Sequence, residues 1–155
     1  MRIVVVSDSH GDTRPIEIAI EKSKPDVVIF CGDGVESAED ISYLYKNIRF
    51  YFVRGNCDRG NYLSQQEIKI GGKTIFFTHG HFYDVKYGLE KLIDEGKRRQ
   101  ADIVLFGHTH NPHNEYIDGM YLLNPGSCAM PKDSKASYAF IDIVGSSIVT
   151  NIVYY

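Results

Sequence analysis

The chain has 155 residues, 43% hydrophobic and 24% charged, which fits a globular protein and predicts one domain over residues 1–155. A formal net charge of −3 argues against a general affinity for nucleic acid but leaves room for local phosphate binding. No apolar run approaches the ~20 residues of a membrane-spanning helix. The first residues lack a signal-peptide core, and the three cysteines form no CxxC pair. The expectation is therefore a cytoplasmic protein that does not insert into membranes.

In chain order, an apolar strand over 2–7 leads to a helix at about 13–23, with Asp12 or Thr13 as its cap, Pro15 in its first turn and Pro25 at its end. A strand over 26–31 leads to a helix at about 37–46, with Ser37 as cap and Ile41, Leu44 and Tyr45 on one face. A strand over 49–53 follows, and this β-α-β-α-β order predicts parallel pairing. Strands 66–70 and 74–78 flank Gly71-Gly72, a hairpin signal. A helix at about 84–96 aligns Val85, Leu89, Leu92 and Ile93, and the basic run Lys97-Arg98-Arg99 reads as a solvated last turn. Strand 102–106, a second hairpin over 114–117 and 120–123 around Asp118-Gly119, and strands 137–143 and 147–154 complete the chain. This pattern predicts two packed, mixed sheets with helices covering them.

Five of the apolar runs end in a polar cluster. Val6 is followed by Asp8-Ser9-His10, Phe30 by Gly32-Asp33, and Val53 by Gly55-Asn56-Cys57-Asp58. Phe77 is followed by His79-Gly80-His81, and Phe106 by Gly107-His108-Thr109-His110. Ligands of open α/β sheets gather beyond the carboxyl ends of the strands, so all five clusters should meet at one rim. Residues two apart in an extended segment point the same way, so Asp8 and His10, and the members of each His-x-His, are expected to converge. Carboxylate oxygen with imidazole nitrogen suits Mn, Fe, Zn, Co or Ni, whereas Ca favours oxygen alone. Asp8, His10, Asp33, Asn56, His79, His108 and His110 exceed the four donors of a tetrahedral zinc. They suit two ions ~3.5–4 Å apart, as in phosphatases and nucleases. Two divalent ions set against two carboxylates and a hydroxide leave a net charge of about +1, an attractor for phosphate.

Other residues have plainer readings. His113 follows Pro112 in a loop and is read as a non-ligand. Ser127 lies in a Pro-Gly-Ser turn without a G-x-S-x-G elbow. Asp58 suits a turn cap or the orienting of a neighbour, and Arg54 and Arg59 flank the third cluster where they could touch phosphate.

The ordered set of clusters resembles the calcineurin-like metallophosphoesterases. With the compact length and Asn124-Pro125-Gly126-Ser127, it resembles the small bacterial and archaeal phosphodiesterase branch. The resemblance implies a four-layer α/β/β/α sandwich. It also implies a first metal held by Asp8, His10, Asp33 and His110, and a second by Asn56, His79 and His108 with Asp33 bridging. Manganese is the ion it points to, with Fe, Zn, Ni and Co as alternatives. The implied reaction is hydrolysis of a small phosphodiester by in-line attack of a metal-bridging water or hydroxide. Catalysis would fall to Asp33, Asn56 and His81, and substrate contact to Asn56, Cys57, Asp58 and His81. A phosphomonoesterase, a pyrophosphatase, or a non-catalytic scaffold of the same fold are the alternatives, and the motifs leave a homo-oligomer open. One departure stands out. Many relatives carry His where this chain has Cys57, and a thiol with a pKa near ~8.5 is a poor acid at pH 7. Esters with poor leaving groups are therefore expected to react slowly and aryl phosphodiesters faster.

Overall fold

The computed structural model describes residues 1–155 and contains two five-stranded mixed sheets and three α-helices. The first sheet holds β1 (Arg2–Val6), β2 (Val27–Phe30), β3 (Arg49–Phe52), β9 (Ser137–Val144) and β10 (Ser147–Tyr154), in the order β10-β9-β1-β2-β3. Strands β1, β2 and β3 pair in parallel, with Val5 beside Ile29 and Ile29 beside Tyr51. The second sheet holds β4 (Gln65–Ile70), β5 (Lys73–Thr78), β6 (Ile103–Leu105), β7 (Pro112–Ile117) and β8 (Met120–Pro125), in the order β4-β5-β6-β8-β7. Its inner strands β5, β6 and β8 are parallel, and the edge strands β4 and β7 are antiparallel to their neighbours.

Period-two alternation sorts each strand between two cores. Ile3, Val5, Val27 and Ile29 point between the sheets and meet Ile75, Phe77, Ile103, Leu105 and Leu123. Val4, Val6, Val28 and Phe30 point outward against Ile16, Ala19 and Ile20 of α1 (Arg14–Ser23) and Val35, Ala38 and Ile41 of α2 (Val35–Leu44). On the far side, Phe76, Val104 and Leu122 pack on Leu92 of α3 (Glu90–Arg98). The result is the expected α/β/β/α sandwich, and it explains why β1 and β2 are apolar at nearly every position: both their faces are covered.

Two helices start elsewhere than predicted. Helix α2 begins at Val35, with Gly34 (φ 121°) at its N-cap, while Ser37 lies inside the helix and Leu44 is exposed. Helix α3 begins only at Glu90. The residues before it form a one-turn 3₁₀ helix, His81–Tyr83, that ends at Asp84 in a left-handed conformation (φ 54°). Val85 is buried as the periodicity requires, but from a loop. No helix is long and apolar enough to cross a membrane.

Candidate metal centre

The parallel strands bring the five polar clusters to one rim, where three groups of ligand atoms interlock. Asp8, His10 and His110 form the first, His10, Asp33 and Cys57 the second, and Asp33, His79 and His108 the third, with all ligand atoms in a group within 4.8 Å of one another. His10 and Asp33 each belong to two groups, so the three make one continuous cluster. His113 stands apart on β7, with its Nε2 3.1 Å from Glu115 Oε2.

Convergence does not come from extended backbone. Asp8 (φ 56°), His10 (φ 47°), Asp33 (φ 58°), His108 (φ 68°) and His110 (φ 62°) all occupy the left-handed region. Non-glycine residues adopt it at a cost and hold it only where surrounding contacts dictate it. Those contacts are visible here. The amide of Asp8 donates to Gly32 O and that of His10 to Asp33 O, each at 2.9 Å. The amide of His108 donates to Asp8 Oδ2 at 3.2 Å.

The rings are held from behind. His79 Nδ1 lies 2.7 Å from Cys31 O, and His110 Nδ1 lies 2.6 Å from Met130 O. Donation of Nδ1–H to a backbone carbonyl leaves Nε2 as the free donor, the usual arrangement of a ligating histidine. The free nitrogens then crowd together: His79 Nε2 is 3.1 Å from His108 Nδ1, and His10 Nε2 is 3.3 Å from His110 Nε2. Metal–nitrogen bonds of about 2.0–2.1 Å put tetrahedral ligands about 3.3–3.4 Å apart, so both spacings suit a shared cation. Asp8 supplies a further sign of fit: its fully buried Oδ1 has no hydrogen-bond partner and lies 3.2 Å from His110 Nε2. A buried, unsatisfied carboxylate oxygen is costly unless a cation or proton meets it.

The ionisation pattern agrees. Burial pushes the Asp33 carboxyl up, but its hydrogen bond to His79, the charge of His79 and the amide of Cys57 outweigh burial and hold it well below the carboxylate range. Burial pushes His79 down, and Asp33 and Asp8 more than reverse this, so its pKa is raised. His110 is raised chiefly by the Asp8 carboxylate, 3.2 Å from its Nε2. His108 falls to about 4 through burial and the charges of His79 and Lys86. His81 is lowered by burial and by His79, so its neutral imidazole is favoured, and its Nδ1 is enclosed without a partner.

Several further residues support the cluster, among them Asp58, for which the sequence suggested a turn cap or the orienting of a neighbour. Asp58 accepts four backbone amides, from Gly34 (2.7 Å) and Val35 (3.0 Å) on Oδ1 and from Asp33 (2.8 Å) and Gly55 (2.7 Å) on Oδ2. It thus caps α2 from a distant loop and ties that loop to Asp33. Gly55 permits the approach, because a side chain there would collide with Asp33 Oδ1. Asn124 holds the fifth cluster, donating from Nδ2 to Gly107 O (2.9 Å) and Thr109 Oγ1 (3.0 Å). Ser127, in the expected turn, donates to Asp8 O at 2.8 Å. Asn56 is exposed, and its Nδ2 donates to Cys57 Sγ at 3.3 Å. A cavity of about 300 Å³ beside the cluster is lined by His10, Glu36, Cys57, Asp58 and Arg59, among others.

Comparison with known proteins agrees with this geometry. The model of the calcineurin-like phosphoesterase superfamily domain matches residues 1–146, and the chain belongs to that family. It is 30% identical over 147 residues to phosphodiesterase MJ0936 of Methanocaldococcus jannaschii, covering 83% of this chain and 84% of that one. The crystal structure of a predicted phosphoesterase from Streptococcus pneumoniae TIGR4 superposes with a TM-score of 0.84 at 30% identity, covering 99% of this chain and 88% of that one. A Vps29 variant from Entamoeba histolytica (TM-score 0.79, 21% identity, covering 100% of this chain and 99% of that one) shares the fold.

Proposed function

We propose that the chain is a single-domain, cytoplasmic, metal-dependent hydrolase acting on small phosphodiesters. In this reading Asp8, His10, Asp33, Asn56, His79, His108 and His110 hold two divalent cations, manganese first among them. The observation that carries it is the continuous cluster of three interlocking donor groups, with an unpartnered, buried Asp8 oxygen inside it. The phosphodiesterase activity named for the Methanocaldococcus jannaschii relative gives the substrate class. Cations held there would supply an activated water and offset the charge of the phosphoryl oxygens, the chemistry of an in-line displacement.

The chain's own residues do the rest. Asp33, shared by two donor groups, fixes their spacing, and its depressed pKa keeps it an anion at any working pH. Arg59 lines the adjacent cavity together with Glu36 and Asp58, and the positive charges of Arg54 and Lys86 reach His81 and His108, so basic groups stand near the site of an otherwise acidic protein. His81 offers a neutral imidazole to a phosphate oxygen or leaving group, and Asn56 offers its amide. With a thiol at residue 57, aryl esters are the preferred leaving groups.

The test is hydrolysis of bis-p-nitrophenyl phosphate by metal-stripped protein with and without manganese, beside Asp33→Ala. Manganese should restore turnover, and the variant should lose at least about 10²-fold, as expected when a preorganised charge is removed. Equal turnover with and without metal would overturn the reading.

A further inference from the structure

We propose that Cys57 is itself a metal ligand, its sulfur joining His10 and Asp33 on the first ion and giving this centre a soft donor. The inference rests on the metal-dependent reading above and goes beyond it in donor set and ion preference. The Cys57 sulfur lies within 4.8 Å of ligand atoms of both His10 and Asp33. Bonds of about 2.3 Å to sulfur and 2.0–2.1 Å to nitrogen place neighbouring ligand atoms about 3.5 Å apart, so a small rotation of an exposed thiol closes the site. Its backbone is already fixed, because the Cys57 amide donates to Asp33 Oδ1 at 2.8 Å. The two partners are no chance neighbours. His10 also faces Asp8, whose buried Oδ1 lacks any hydrogen bond, and Asp33 also faces His79 and His108. Cys57 therefore extends a frame that already calls for a cation.

The proton balance is explicit. Burial, then Asp33 and the nearby Asp58 and Asp8, raise the thiol pKa, so the metal-free side chain carries its proton. The same negative surroundings favour a cation. On loading, the S–H bond breaks, a sulfur–metal bond forms and the proton passes to solvent. Thiolate favours zinc, cobalt or iron over manganese. A sulfur committed to the ion is also no proton donor, which gives the departure from histidine at this position a second role.

Cobalt(II) is the probe. Metal-stripped protein loaded with cobalt should show visible d–d bands and, in the near ultraviolet, a sulfur-to-cobalt charge-transfer band. In Cys57→Ser and Cys57→Ala, checked for folding by circular dichroism, the charge-transfer band should vanish while the d–d bands persist. The cadmium-over-manganese affinity ratio should fall about tenfold or more in both variants. Cys31 and Cys128 are buried in the two cores flanking the first sheet and should not contribute. Wild-type protein with d–d bands but no charge-transfer band, a band that survives in both variants, or an unchanged affinity ratio would overturn the ligand and leave the metal centre standing. No cobalt spectrum in any of the proteins would take down both readings.

Discussion

At the residue scale, the gathering of Asp and His side chains could be read from the sequence but not what positions them. Each ligand type follows an apolar run, and buried-strand logic was enough to gather them at one rim. The spacing argument put Asp8 and His10 together for the wrong reason, since both are left-handed, a backbone state that tertiary hydrogen bonds impose; His108 and His110 fall in different donor groups, and His81 belongs to none. Asp58 was legible as a cap or an orienter but its targets were not, since the four amides it serves belong to Asp33, Gly34 and Val35 at the start of α2 and to Gly55 after β3. A usable signal existed in its place three residues after Gly55, where an Asp side chain readily collects nearby amides. Removing it should be costly. Asp58→Ala leaves several amides without an acceptor and should lose about 3 kcal/mol in urea unfolding. It should also weaken manganese binding roughly 10–100-fold by calorimetry, whereas a residue concerned with substrate alone would leave both quantities near wild type.

At the element scale, strands were easier to place than helices. Gly71-Gly72 and Asp118-Gly119 mark their hairpins because turn geometry is written in two residues. Helix starts depend on what supplies the cap. Helix α2 begins two residues before Ser37 because Asp58 does the capping from across the rim. A turn over 84–87, closed by the Tyr87 amide on Asp84 O, delays α3 to Glu90, although Val85, Leu89, Leu92 and Ile93 still face the core. The end of α3 is less solvated than its basic run implied. Arg99 lies 4.3 Å over the Phe76 ring and donates to Glu95 and Glu67. Glu95 also pairs with Arg98 at 2.6 Å. The hydrogen bond from Arg98, aided by Arg99 and opposed by burial, draws the Glu95 carboxyl from 4.5 down to about 2. A depressed carboxylate stabilises the fold above its unfolded pKa and loses that contribution as pH falls through the folded value. Glu95→Gln should therefore lower the melting temperature by about 2–4 °C at pH 6–7, for a loss of about 1 kcal/mol. The difference should shrink between pH 4.5 and 2, and an equal loss at pH 2.5 would refute the ionic origin.

At the scale of the whole molecule, the alternation of apolar strands and amphipathic helices made the four-layer sandwich legible, and its sheet order came from the structure. The centre draws on both sheets, so a cation there cross-links them and should stabilise the entire fold. Mass action gives about 2.7 kcal/mol at a metal concentration a hundred times Kd. Manganese or zinc should thus raise the melting temperature by several degrees and a chelator should reverse it. A melt indifferent to both would show that the ion adds nothing to the fold. The chain is polar in another sense. The candidate ligands sit beyond the ends of β1, β2, β3, β5 and β6, whereas the turns at Gly71-Gly72, Asp118-Gly119 and Gly145-Ser146 lie at the opposite ends of the strands. A side chain at Gly72, Gly119 or Gly145 would meet nothing within 4 Å. One end of the molecule is thus committed to chemistry and the other is open to lengthening. An eight-residue linker inserted after Gly145 should leave metal affinity within about twofold of wild type, making this end the natural place to tether, label or fuse the protein.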